Sequence, residues 1–83
     1  MIMGGRGEKL LERMRANRNG WRIENVIALC NSFGVACTAP RKGSHYKVKH
    51  ESQAEILTIP ARRPIKPVYI ADLVRFIDAV TGA

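Results

Sequence analysis

The residues of this chain best suited to chemistry lie in one run, Gly43-Ser44-His45-Tyr46-Lys47-Val48-Lys49-His50. Read as a strand, its side chains alternate between two faces, so His45, Lys47 and Lys49 point one way while Ser44, Tyr46, Val48 and His50 point the other. One face is cationic and the other can pack. An imidazole titrates near neutrality and can move protons, and two lysines on its own face draw a polyanion to it. RNA carries an internal nucleophile, its 2′-hydroxyl. Cleaving it takes a base for that proton, positive charge for the phosphorane and an acid for the leaving 5′-oxygen, and no metal is required. His45 is the candidate for general acid/base work. Arg41, Lys42, Gly43, Ser44, Lys47 and Lys49 are the candidates for holding the phosphate backbone.

Other residues read less clearly. His50 stands at odd spacing from His45, so strand parity turns it to the opposite face, where a strand-end surface role is expected. Tyr46 shares that face and reads mainly as packing. No second proton-transfer group can be named, and the simplest expectation is His45 acting alone or with a lysine and water. Arg62, Arg63 and Lys66 precede a helix, whose exposed amides and positive dipole end also favour anions. They are candidates either for a second phosphate contact or for facing an acidic partner protein. No cofactor is expected: the chain has no nucleotide-binding glycine loop and no Ser-His-Asp triad. No metal site is expected either, since helix and strand parity scatter Cys30, Cys37, His45 and His50.

The bulk numbers agree with a polyanionic partner. The 83 residues suit one domain, and 14 Lys and Arg stand against 7 Asp and Glu, a formal charge of +7. The charge clusters: residues 41–67, which contain the His45 strand, hold seven cations and two carboxylates. Cys30 and Cys37 are too far apart for a C-x-x-C pair and read as buried thiols of a reducing compartment. There is no apolar run near 18 residues and no signal segment, so a cytoplasmic protein without a membrane partner is expected.

The elements that must position the run follow from periodicity. Ile23, Val26, Ile27, Cys30 and Phe33 recur at helical spacing, and Gly34 is placed to end that helix in a left-handed cap. Trp21 is expected to cover its amino-terminal end, after a turn at Asn17-Arg18-Asn19-Gly20. Strands are expected over Val35 to Ala39, Ser44 to His50 and Glu55 to Ile59, the last stopped by Pro60, as an antiparallel meander. Ile70, Leu73, Val74, Ile77 and Val80 predict a final helix, entered through Pro67 and edged by Tyr69 and Phe76. Two amphipathic helices need one face of the sheet, which leaves the other wet. Ahead of them, Glu8 to Ala16 reads as a short basic helix with an apolar edge of Leu10, Leu11 and Met14. It is too short to stand alone and should fray unless that edge docks. Residues 1–6, with Gly4, Gly5 and Gly7 close by, are expected to be mobile. The division expected is a flexible Gly-rich start and short helix over 1–20, and the main domain over 21–83.

In this order, four features resemble HicA-type mRNA interferase toxins of bacterial type II toxin-antitoxin systems. They are the Gly43-Ser44-His45-Tyr46 strand opening, the helix closing on Phe33-Gly34, the Leu57-Thr58-Ile59-Pro60 strand ending, and the last helix entered through Pro64 and Pro67. The resemblance spans residues 21 to 80. It implies an α+β fold like that of double-stranded-RNA-binding domains, with a three-stranded antiparallel sheet packed on one face by two helices, to which this chain adds a short N-terminal helix. It also implies an endoribonuclease whose catalytic histidine corresponds to His45, with mRNA as substrate and a cognate HicB-like antitoxin as partner. A non-catalytic RNA-binding module of the same fold is the alternative, since a binder needs only the cations.

Overall fold

The stripe that begins at Ile23 winds into a helix because its apolar residues fall on one side of a 3.6-residue repeat. In a computed structural model, which describes residues 5–82, this is α2, Ile23–Ser32, with Val26, Leu29 and Cys30 buried. Its entry is fixed by Asn25, whose Oδ1 accepts from the Arg22 backbone N–H at 2.9 Å. Its exit is fixed by Gly34 at φ 67°, a left-handed position open to glycine. Trp21 is buried just ahead of it, donating from Nε1 to the Asn17 carbonyl at 2.6 Å with the Arg13 guanidinium over its ring. Trp21 is therefore a structural cover, as expected.

Three strands follow: β1, Ala36–Thr38; β2, His45–Lys49; and β3, Leu57–Pro60. They form one antiparallel sheet in the order β1-β2-β3. The register aligns Cys37, Val48 and Leu57 in one row and Tyr46 with Ile59 in the next. Val48 and Ile59 are buried, so this is the covered face. Thr38, Lys47 and Thr58 form a row on the open face, flanked by His45 with Pro60 and by Ala36 with Lys49.

The third strand differs from expectation at both ends. Glu55 and Ile56 lie outside it, Ile56 half exposed, and Pro60 lies inside it opposite His45. The Ala61 N–H donates to the Ser44 carbonyl at 2.7 Å, which makes His45 and Pro60 a non-hydrogen-bonded pair. At such a position, on an edge strand, the N–H that proline lacks is not needed.

The last helix, α3, Pro67–Thr81, buries Ile70, Leu73, Val74, Phe76 and Ile77 and ends at Gly82, φ 79°. Helices α2 and α3 pack on the sheet through β1 and β3 respectively. The loop between β3 and α3 contains a cis Arg63–Pro64 peptide and is anchored by buried Ile65, whose N–H donates to the Trp21 carbonyl at 2.9 Å.

The first helix, α1, is Gly5–Ala16. It packs on α2 and α3, and Leu11 and Met14 belong to the same core as the rest, Met14 with no exposed surface. Its apolar edge has thus found the docking surface it needed, where burying one such side chain contributes on the order of 2 kcal/mol. The expectation of a mobile start falls in part on residues 1–4, outside the described residues. Gly5 is already helical, and Gly7 is buried where α1 crosses the end of α2: a Cβ there would stand 2.5 Å from the Ser32 Cβ. Gly7 is a point of close approach, a role its place in a glycine-rich start concealed. Among the described residues, no helix is long and apolar enough to cross a membrane.

Candidate nucleic-acid interface

The alternation of β2 does what its sequence requires. His45, Lys47 and Lys49 are exposed on the open face, Val48 is buried on the other and Tyr46 is half-buried there. His45 stands at the start of β2, where two depressions meet. One, of about 230 Å³, is lined by Ser44, His45, Pro60, Arg62, Lys66 and Tyr69. The other, of about 380 Å³, is lined by Thr38, Ala39, Pro40, Arg41, Lys42, His45 and Lys47. His45 is common to both.

Local structure accounts for each wall. Gly43, at φ 80°, provides the left-handed turn between Pro40 and β2 that sets Arg41 and Lys42 beside His45 and Lys47. On the other side, the Ile65 anchor and the proline entry of α3 hold the loop so that Arg62 and Lys66 converge on the cleft. Among the described residues, neither depression is lined by a carboxylate. Arg41, Lys42, Lys47, Arg62 and Lys66, the cations of these two depressions, have no Asp or Glu within 4.0 Å among the described residues. Their positive potential is therefore uncompensated locally, as a phosphate-binding surface needs.

Not every expected residue converges. Lys49 shares the face but lies toward the far end of β2, in a separate depression with His50, Glu51 and Gln53. Arg63 lies outside both His45 depressions and reaches 3.9 Å from Glu24 at the start of α2, both side chains mostly exposed. His50 has a turn role: its Nδ1 accepts from the Ser52 N–H at 3.1 Å, while its carbonyl accepts from the Gln53 N–H at 3.0 Å. It lies roughly 17 Å from His45 at the rise of a strand.

Tyr69, at the edge of the helical stripe of α3, is a site residue that periodicity alone does not single out. It is half-buried, its ring packed against the core, and it still lines the His45 cleft. The signal was its position three residues after Lys66, in the first turn of a helix entered from a basic loop. Thr38 and Thr58, which flank Lys47, follow from the alternation of β1 and β3 once the register is known.

Cys30 and Cys37 meet on the covered side, away from His45. Cys30 is fully buried, Cys37 half-buried, and both are free thiols. Donation of its proton to the Cys37 sulfur, and then burial, push the Cys30 thiol far up. Accepting that hydrogen bond lowers Cys37 despite its own partial burial.

Compared with protein-family models, curated proteins and solved structures, the chain matches none.

Proposed function

We propose that this protein is a metal-independent endoribonuclease of the HicA mRNA interferase type, with His45 as general acid/base. The observation that carries the reading is the position of His45 at the junction of two depressions walled by cations and free of carboxylates. A binder requires the cations alone. An imidazole set between two groups of them sits where a phosphodiester held by both would present its 2′-hydroxyl.

The order of elements from α2 onward is helix, three antiparallel strands, helix, which supports the likeness to double-stranded-RNA-binding domains. In the proposed mechanism Arg41, Lys42 and Lys47 hold the backbone on one side of His45, and Arg62, Lys66 and Ser44 on the other. His45 takes the 2′-hydroxyl proton, the 2′-oxygen attacks phosphorus, and the cations spread the charge of the phosphorane. Products with a 2′,3′-cyclic phosphate and a 5′-hydroxyl are expected. In the cytoplasm a cognate HicB-like antitoxin would silence the enzyme by covering the open face of the sheet.

The test is incubation of the purified protein, with excess EDTA, against a long single-stranded RNA, comparing wild type with His45→Ala. Cleavage by wild type alone, with cyclic phosphate ends, supports the reading. Binding without cleavage by either protein replaces it with a non-catalytic RNA-binding module.

A further inference from the structure

In an in-line displacement at phosphorus the entering 2′-oxygen and the leaving 5′-oxygen lie on opposite sides of the reacting atom. One imidazole placed to take the proton of the first is therefore badly placed to protonate the second. A second proton donor on the leaving-group side would spare the reaction the expulsion of a free alkoxide.

The cleft narrows the choice. Of the groups that line it with His45, Pro60 carries no exchangeable proton, and the guanidinium of Arg62 does not give one up in proteins. The hydroxyl of Ser44 is a far weaker acid than a phenol. Lys66 and Tyr69 remain. Lys66, like Lys42 and Lys47 in the other depression, is exposed at the end of a flexible four-carbon stem. Tyr69 is held: its backbone N–H donates to the Lys66 carbonyl at 3.0 Å, and its ring is packed against the core. A phenol is far more acidic than the alcohol it would protonate.

We propose that Tyr69 is the general acid of the reaction, lining from α3 the cleft that His45 lines from β2. The inference rests on the ribonuclease reading above. The His45 imidazole takes the 2′-hydroxyl proton, the bond from 2′-oxygen to phosphorus forms, and the bond from phosphorus to 5′-oxygen breaks. The Tyr69 hydroxyl gives its proton to that oxygen. The imidazolium and phenolate left behind return to neutrality by net proton transfer through water, so the enzyme is unchanged.

The experiment uses a short RNA spanning a position that the wild type cuts in a long transcript. It is prepared in two forms, one with the natural 5′-oxygen and one with sulfur replacing it at the scissile phosphate. A thiolate leaves without protonation, so it removes the need for an acid. Three full-length proteins are compared: wild type, Tyr69→Phe and His45→Ala. Tyr69→Phe keeps the packed ring, and its thermal unfolding should match that of the wild type. On the oxygen substrate it should lose about 10²- to 10⁴-fold in rate. On the sulfur substrate it should cut at close to the wild-type rate, while His45→Ala stays impaired on both. If Tyr69→Phe matches wild type on oxygen, or is slowed equally on both substrates, Tyr69 is not the acid and the ribonuclease reading stands without it. If the wild type cuts no RNA, both proposals fall together.

Discussion

Arg15 of α1 and Asp78 of α3 meet as a bidentate pair, Nη1 to Oδ2 at 2.7 Å and Nη2 to Oδ1 at 2.9 Å. The pair ties the first helix to the last across 63 residues of sequence. The guanidinium holds the Asp78 carboxyl below its usual range, its hydrogen bonds outweighing partial burial. Because the folded-state pKa is the lower one, the unfolded chain binds more protons in that range. The pair's contribution is therefore present above the unfolded carboxylate value, about 3.9, and is lost as pH falls through the folded value. Asp78→Asn should lower stability by a constant amount between pH 5 and 8, and that difference should shrink below about pH 4. Denaturant unfolding of both proteins at pH 7 and pH 3 measures it, and a difference unchanged at pH 3 counts against the pair.

Gly7 offers a test whose sign is the answer. In an open helix Gly→Ala is stabilising by about 1 kcal/mol. Here the added Cβ meets the Ser32 Cβ at 2.5 Å, so α1 must shift from α2. Gly7→Ala should therefore lower the unfolding midpoint. A raised midpoint would mean that α1 is not seated on α2 as described.

Met14→Ala tests whether α1 shares the common core. Met14 is fully buried, so the expected loss is about 2–5 kcal/mol from removed packing and the cavity left behind. Guanidinium unfolding should give one transition in both proteins, with the midpoint lowered in the variant. A negligible change would assign α1 to the surface.

RNA affinity should sort the cations by position. Lys47→Ala and Arg62→Ala should each weaken binding to a single-stranded RNA. Each should also lower the slope of log K against log salt by about 0.7, the value for one phosphate that the protein ceases to neutralise. Arg63→Ala, whose partner is Glu24 on another part of the surface, should leave both nearly unchanged. Equal effects from all three would indicate a diffuse electrostatic surface.

The thiols should react in order. With Cys37 lowered, and Cys30 raised and fully buried, iodoacetamide should label Cys37 first in the native protein. Cys30 should be labelled only in denaturant, as peptide mass mapping would report. Labelling of Cys30 first would contradict the donor and acceptor roles described.

Much of the site was legible because strand parity is strict. The run from Ser44 to Lys49 needs only a period of two to separate His45, Lys47 and Lys49 from Tyr46 and Val48, and burial follows that split. Helices α2 and α3 were legible through their stripes and glycine ends. Leu29, buried in α2, fell outside the expected stripe because its neighbour Ile27 satisfied the same spacing. Pro60 reads as a stop in the sequence alone, because whether a strand position needs its N–H depends on pairing phase, which the Ala61–Ser44 hydrogen bond sets.

By itself, then, the sequence determined the elements, the polarity of each face and the cationic character of the region holding His45, because periodicity and charge are local properties. Only the tertiary structure decided which cations share a cleft with His45. Arg62 and Arg63 are adjacent in the chain, yet one lines that cleft and the other reaches toward Glu24. The same is true of Tyr69 beside the cleft, Gly7 against Ser32 and Arg15 on Asp78. Each depends on how helices and loops stack across long stretches of chain, and packing of that kind leaves no period in the sequence.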